Sequence, residues 1–392
     1  MILTPKQEQG LKIAVERYKK REPYTCIAGY AGTGKSTLIQ FIVAALNLNP
    51  KDVCYIAYTG KASLVLKEKG CPNAMTAHKL LYQSYPREDG TFYHKPKRPI
   101  DPYKLIVVDE ISMLPKELWD LLLSHQIPVI ALGDPAQLPP VGTDNKVLKK
   151  PHIFLDEIVR QAAESEIIRL TMDLRKHKPL QLYKGQELQV LDYKDLVTGM
   201  YTWADQVIVA KNETRKQINY TIRKLLKNTE DTLPIDGDKL ICLRNYWDSP
   251  SEAGDILVNG TIGYIYNAKE TNARYVNKYI IGDFIPEEYT EEEILNSPID
   301  LAFRKINFDY KLLTEGEPTV NKDNWKKIPR KLKPFEFDYG YCITCWKAQG
   351  SEYNKVLVFE ENFPFDEKEH YKYLYTAATR AKEKLVIIRN KY

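Results

Sequence analysis

The sequence predicts an α/β protein built on parallel sheets, with a second α/β unit interrupted by a small β domain. Three observations carry this. First, Gly29-Tyr30-Ala31-Gly32-Thr33-Gly34-Lys35-Ser36-Thr37 satisfies G-x-x-x-x-G-K-[ST] at every fixed position. It sits between the apolar runs Tyr24–Ala28 and Leu38–Leu46, the strand–loop–helix setting of a phosphate-binding loop. Second, short apolar runs alternate with helical stretches, and the polar clusters fall at the carboxyl ends of those runs, where parallel sheets place their ligands. Third, from Asp238 the texture shifts to short strands and turns, and the α/β pattern resumes at Tyr341.

The glycines of the loop let the backbone curl so that successive N–H groups face phosphate oxygens. The helix that follows adds the partial positive charge of its N-terminus. Gly29, Ala31, Gly32, Thr33, Gly34, Lys35, Ser36 and Thr37 are therefore the expected nucleotide contacts. Lys35 is expected to reach the β- and γ-phosphates, and the Ser36 hydroxyl to ligate Mg²⁺. The expected ligands are ATP and Mg²⁺.

The remaining elements follow in order. Thr4-Pro5-Lys6-Gln7 opens a helix, with Thr4 as cap and Pro5 in the first turn. Gln7, just ahead of the loop, is placed either to read an adenine edge or simply to face solvent. Val53–Ala57 is a strand ending in Tyr58-Thr59-Gly60-Lys61-Ala62-Ser63, and Thr76-Ala77-His78 opens a further helix. Leu105–Val108 is a buried strand that runs into Asp109-Glu110. An acid at that point suits the Mg²⁺ shell (Asp109), and its neighbour suits orientation and deprotonation of a water (Glu110). Val129–Leu132 ends in Gly133-Asp134-Pro135-Ala136-Gln137, which places Gln137 to sense the γ-phosphate.

Between Leu81 and Tyr103 the alternation breaks, and Asp89-Gly90 marks a hairpin with Thr91–His94 as its return strand. Leu155–Gln161 reads as the start of a helical stretch reaching about Arg175. Gln206–Ala210 is a strand and Thr214–Leu226 a helix with Ile218, Ile222 and Leu225 on one face. Asp238–Leu243, Gly260–Tyr266 and Tyr275–Ile281 read as strands of the small β domain. Tyr289–Asn296 is an acidic helix candidate, and Thr319–Pro334 is basic and punctuated by proline. Lys355–Phe359, the helix Tyr371–Ala381 and the strand Lys384–Ile388 complete the pattern.

Composition bounds the rest. A chain of 392 residues calls for two or three domains. Hydrophobic content of 43% and charged content of 28% are those of an ordinary globular protein. No apolar run approaches the roughly 20 residues that cross a bilayer, and Met1–Gly10 lacks an apolar signal core. The six cysteines are scattered, and Cys342-x-x-Cys345 has no second pair at ligand spacing. A reducing, cytoplasmic location without membrane association is expected. A net charge of +5 permits nucleic-acid binding without demanding it, and the 27 tyrosines offer faces on which bases can stack.

Taken together, these motifs resemble a superfamily-1 DNA helicase of the RecD/Dda-like, 5′-to-3′ branch. Gln7 falls at the adenine-reading motif and Gly29–Thr37 at motif I. Thr59–Ala62 and Thr76–His78 match the next two, Asp109-Glu110 matches motif II, and Gly133–Val141 matches motif III. Arg160 in Val159-Arg160-Gln161 looks like the motif IV arginine. Cys342–Glu352 looks like motif V, and Tyr375–Ala381 looks like motif VI, with Arg380 its arginine.

The resemblance implies two RecA-like motor domains with ATP between them. Residues 1–175 would form the first, carrying a β-hairpin pin at 82–102. Residues 176–250 and 335–392 would form the second, with an SH3-like insertion at 251–334 that Val258–Gly263 would open. It implies catalytic roles for Lys35, Glu110, Gln137, Arg160 and Arg380, nucleotide contacts by Gln7, Gly350 and Glu352, and metal binding by Ser36 and Asp109. Thr59, Lys61, Thr76, His78, Thr344, Trp346 and Lys347 would hold single-stranded DNA, and Phe92 would meet the duplex. Trp346 stands where the family commonly has histidine, and Thr261 where an acid is common.

The implied function is ATP-dependent, 5′-to-3′ translocation on single-stranded DNA with unwinding of tailed or forked duplex. Replication or recombination proteins would be its further partners, and the active form a monomer. An RNA-directed or non-unwinding translocase shares every ATP motif. A phosphate-loop kinase shares only the first of them, and a non-catalytic nucleic-acid-binding subunit would not need Lys35, Asp109, Glu110 and Arg380.

Overall fold

The structure is a computed structural model that describes residues 3–71, 73–86, 92–100, 103–139, 143–159, 164–227, 232–244, 246–250, 256–257, 259–272, 278–287, 303–315, 333–362 and 366–389. Contacts divide the chain into two compact units. The first comprises Met1–Gln83, Pro96–Lys211 and Thr344–Tyr392, and the second Ser84–Lys95 and Asn212–Ile343.

The first unit holds both expected parallel sheets. Helix α1 (Pro5–Lys19) begins at a reciprocal cap, in which Thr4 Oγ1 accepts from Gln7 N–H and the Gln7 side chain accepts from Thr4 N–H. Strands β1 (Tyr24–Gly29), β2 (Val53–Ala57), β3 (Ala74–Thr76), β6 (Leu105–Val108), β7 (Val129–Gly133) and β8 (Ile153–Leu155) form the first sheet. Its order is β3-β2-β6-β7-β1-β8, parallel throughout. These strands are nearly continuous apolar runs because helices cover both faces. Leu38 and Ile42 of α2 (Lys35–Ala45) pack on one face, and Leu118, Trp119 and Leu122 of α5 (Lys116–Leu123) on the other. Helices α3 (Gly60–Glu68) and α4 (Ala77–Leu81) follow β2 and β3.

The part of the second sheet that lies in this unit runs β11-β20-β21-β10-β9. Its strands are β9 (Tyr183–Lys184), β10 (Leu188–Asp192), β11 (Gln206–Val209), β20 (Tyr353–Phe359) and β21 (Ala381–Arg389). All pairs are parallel except β9 with β10. Helices α6 (Glu166–Arg175), α7 (Thr198–Trp203), α10 (Cys345–Ala348) and α11 (Glu367–Ala378) belong with it.

In the second unit, α8 (Asn212–Lys227) leads into an antiparallel five-stranded sheet. Its strands are β12 (Asp238–Cys242), β15 (Ile262–Thr271), β16 (Tyr279–Pro286), β17 (Phe303–Asp309) and β18 (Phe337–Tyr339), ordered β17-β16-β15-β12-β18. Phe337 packs at 4.8 Å from both Phe284 and Phe308 at its centre. A short helix α9 (Tyr310–Thr314) follows β17. Strands β13 (Tyr246–Pro250) and β14 (Ile256–Leu257) form a separate pair. Strand β19 (Cys342–Thr344) returns the chain to the α/β pattern. The hairpin is present as β4 (Tyr82–Pro86) paired with β5 (Phe92–Pro96).

One stretch differs from its expectation. Leu155 does not begin a helix: Ile153–Leu155 is strand, paired with Ile27–Gly29, and the helix runs from Glu166 to Arg175. Edge pairing beside the phosphate-loop strand outweighs the helical spacing of Leu155, Ile158 and Val159. Strands β10 and β17 carry no clear periodic signal in the sequence. The turn Asp89-Gly90, the stretch Tyr289–Asn296, most of Thr319–Pro334, Val258 and Val141 lie outside the described residues.

Candidate nucleotide site and nucleic-acid interface

The phosphate loop leaves β1 at Gly29 and enters α2 at Lys35. Gly32 and Gly34 hold φ of 76° and 74°, a left-handed backbone that side chains disfavour. Gly29 is required for close approach, because a Cβ there would come 2.8 Å from Thr33 Oγ1 and 3.0 Å from Leu155 Cβ. The loop is tied on three sides. Thr33 Oγ1 donates to Tyr30 O at 2.8 Å, and Val159 N–H donates to Gly32 O at 3.0 Å. The buried Gln7 side chain donates to Thr33 O at 3.0 Å. Gln7 thus spends its oxygen on the start of α1 and its nitrogen on the loop. Lys35 folds back onto its own loop, donating to Gly29 O at 2.8 Å and Tyr30 O at 3.1 Å. Ser36 is exposed and Thr37 half-buried at the start of α2.

Asp109 and Glu110 directly follow β6. Burial and the neighbouring Glu110 charge push the Asp109 carboxyl up to about 6, against the opposing pull of Lys35. Glu110 takes φ of 52°, and its N–H donates to Asp109 Oδ1 at 3.0 Å. That turn aims the two carboxylates differently. Gln137 Nε2 donates to Glu110 Oε1 at 3.4 Å, and Arg380 Nη2 approaches the same oxygen at 3.7 Å. Arg380 is only 4% exposed, and its remaining donors reach Thr376 O, Ser351 O and Thr379 Oγ1. Among the described residues, buried Gln137 Oε1 has no hydrogen-bond donor. A hydroxyl (Ser36) and a carboxylate (Asp109) are the hard oxygen donors that Mg²⁺ takes alongside phosphate and water. Lys35 lies close enough to act on the Asp109 carboxylate, which places this donor set by the phosphate loop, where it fits a divalent cation.

The side chains of α11 cross from the second sheet to the first. Tyr375 OH accepts from Ala31 N–H at 3.0 Å and donates to the buried Asp134. Burial raises the Asp134 pKa, with Lys35 the largest opposing influence. Thr376 Oγ1 accepts from Leu138 N–H at 2.9 Å, and Gln349 Nε2 donates to Leu138 O at 3.1 Å. Tyr375, Thr376 and Gln349 lie inside motifs legible in the sequence. Their roles are not, because only the fold shows which backbone each one meets. Gly350, at φ 75°, packs where a Cβ would lie 2.8 Å from Ala62 Cβ. Glu352 pairs with Lys69 at 3.3 Å rather than with loop residues.

At the carboxyl edge of the first sheet, Thr59 caps α3 by accepting from Ala62 N–H, and Thr76 caps α4 by accepting from Lys79 N–H. Among the described residues, neither hydroxyl donates a hydrogen bond. His78 lies 6.0 Å from the Tyr58 ring and 6.1 Å from that of Tyr82, an aromatic row that the sequence reading missed. Thr344 is buried ahead of α10, where Trp346 and Lys347 are half-buried. The Lys61 and Phe92 side chains and all of Arg160 lie outside the described residues. None of the six cysteines forms a disulfide, and burial raises the Cys345 thiol to about 12, which disfavours the reactive thiolate. Among the described residues, no helix is long and apolar enough to cross a membrane.

A phosphate loop, a strand-end Asp-Glu pair and an arginine from a second parallel sheet define a P-loop nucleotide-binding protein of the RecA-like kind. The AAA domain family matches residues 3–200, and the UvrD-like helicase C-terminal domain family matches residues 339–388. The ATP-dependent DNA helicase dda of Enterobacteria phage T4 is 30% identical over 97% of this chain and 98% of its own. The chain belongs to the superfamily-1 DNA helicases of the RecD/Dda-like branch.

The ATP-dependent RecD2 DNA helicase of Deinococcus radiodurans is 27% identical over 91% of this chain, and an uncharacterized protein of Methanocaldococcus jannaschii 26% over 92%. The chain spans 46% and 36% of those two proteins. A solved Pif1 helicase from Bacteroides in complex with ADP-AlF3 and ssDNA shares the fold. Its TM-score is 0.52 at 14% identity, covering 100% of this chain and 93% of that one.

Proposed function

We propose that the chain is an ATP-dependent DNA helicase that moves 5′-to-3′ along single-stranded DNA and opens tailed or forked duplex. The observation that carries this reading is the meeting of Arg380 with Glu110, 3.7 Å apart, beside the phosphate loop. A group from the second sheet thereby touches the carboxylate best placed to handle a water, so chemistry at the loop and the relation of the two sheets depend on each other.

In the proposed cycle Lys35 leaves the carbonyls of Gly29 and Tyr30 for the β- and γ-phosphate oxygens of ATP. Ser36 and Asp109 would hold Mg²⁺, which when bound would neutralise phosphate charge. Glu110, oriented by Gln137, takes a proton from the attacking water. Arg380, together with Arg160, supplies charge to the γ-phosphate, a contribution of about 10³–10⁵ in rate for an arginine finger. Gly350 and Glu352 shift with the closing cleft, and Gln7 turns its amide toward the adenine. Thr59, Lys61, Thr76, His78, Thr344, Trp346 and Lys347 hold the strand through phosphates and stacked bases, which makes movement largely independent of sequence. The hairpin, with Phe92 near its tip, splits base pairs that cost about 1.4 kcal/mol per step.

Strand separation with Mg²⁺-ATP on a 5′-tailed and a 3′-tailed DNA duplex tests the reading. Opening of the 5′-tailed duplex alone is expected, and opening of the 3′-tailed one alone overturns the polarity. If neither opens while single-stranded DNA still stimulates hydrolysis, the chain is a translocase without a working pin.

A further inference from the structure

On α11, Lys368, Tyr371, Lys372 and Tyr375 recur at the i, i+3, i+4, i+7 spacing of one helix face. With Tyr30 and Arg175 they line a cavity of about 160 Å³. Its wall is cationic. Arg175, Lys368 and Lys372 make no ion pair among the described residues. The Arg175 guanidinium lies 3.6 Å from the centre of the Tyr30 ring, and its buried Nε has no acceptor among the described residues.

The acids that face this wall are largely committed elsewhere. Asp134 accepts from Tyr375 and from Ala136 N–H. Asp156 pairs with Lys6, and Glu360 contacts His370. Glu367 and Glu360 act on Tyr371, raising its pKa behind the larger effect of burial. His177 closes the outer side, stacked 4.9 Å from Tyr371.

The cavity's size selects the ligand. Pockets for drug-sized molecules begin near 300 Å³, so this one is of a size to suit a tetrahedral oxyanion. Its position names the source. Tyr375, whose ring forms part of the wall, takes the Ala31 N–H of the phosphate loop at 3.0 Å. The loop's own Tyr30 shares this wall, and the Tyr375 side chain stands between the cavity and the Ala31 N–H of the loop on which ATP is cleaved.

We propose that this cavity receives inorganic phosphate as it leaves the hydrolysis site, with the Tyr375 side chain as the partition it passes. The proposal rests on the reading of the chain as an ATPase. No bond is made or broken: the phosphate dianion exchanges water for the Arg175 guanidinium and the Lys372 ammonium, both charge-assisted donors.

A single-turnover experiment on the full chain with Mg²⁺-ATP and single-stranded DNA separates the two claims. Acid quench reports cleaved phosphate, and a fluorescent phosphate sensor reports released phosphate. Lys372→Glu is expected to slow release relative to cleavage by about tenfold, the effect of losing about 1.4 kcal/mol of attraction, while Lys372→Arg keeps the wild-type interval. Lys368→Glu, at an exposed position, supplies the same reading should Lys372→Glu not fold. An interval between cleavage and release that is identical in wild type and both glutamate variants overturns the phosphate site and leaves the ATPase reading standing. Absence of cleaved phosphate in the wild-type quench overturns the ATPase reading, and the exit site falls with it.

Discussion

Lys35 donates to the carbonyls of Gly29 and Tyr30 and is proposed to exchange them for phosphate oxygens, so Lys35→Ala should abolish ATP turnover in a coupled ATPase assay. Turnover at the wild-type rate would sink the motor reading. Arg380→Ala removes the cation beside Glu110 and leaves Ser351 O and Thr376 O without their buried donor. A fall in kcat of about 10³ is expected, with KM changing much less, and far-UV circular dichroism checks that the fold survives. The nucleotide side of this chemistry was legible beforehand. Consecutive residues at fixed spacing carry Lys35 and Ser36, and a buried apolar run announces Asp109. Tyr375 was not legible, because nothing in Tyr375-Thr376-Ala377 says that the hydroxyl will meet Ala31 and Asp134. Such contacts join residues far apart in sequence, and only the packing of α11 sets them.

Elements are tied by reciprocal caps that can be read against pH. Glu166 Oε2 accepts from the N–H groups of Glu187 and Leu188 at 2.8 and 3.0 Å, while Glu187 Oε2 accepts from Ser165 Oγ and Glu166 N–H. These backbone donors hold the Glu166 carboxyl below its ordinary range. Its stabilising effect is therefore complete above the unfolded value of about 4.3 and is lost as pH falls through the lower folded value. Glu166→Gln should lower the urea midpoint at pH 7, with the gap to wild type closing below pH 4. Thr59→Ala and Thr76→Ala each remove a helix cap, a cost of about 1 kcal/mol, and should also weaken binding of a fluorescent single-stranded oligonucleotide. Both helices were predictable from Thr followed by a helical run. Strand β8 was not, because three residues at a sheet edge owe their conformation to β1 rather than to their own pattern.

At the scale of the molecule, the hairpin and the ATP chemistry belong to separate stretches of chain, so they should separate in function. Replacing residues 84–95 with a short turn should abolish unwinding of 5′-tailed duplex while hydrolysis stimulated by single-stranded DNA persists. Loss of both would assign the hairpin a structural role. The two-sheet plan was legible in the alternation of strands and helices. The order of the second sheet was not, because the chain leaves that sheet after β11 and pairs Leu188 with Leu385 only after the second unit has been traversed. That pairing has a consequence for biosynthesis. As the ribosome delivers the chain, the first sheet has all its strands by Leu155, whereas β10 must wait, unpaired on one side, until β21 emerges. Long-range parallel pairing of this kind is slow and leaves sticky edges exposed. A nascent chain stalled before Ala381 should therefore carry a folded, nucleotide-binding first half and a second half that recruits chaperones.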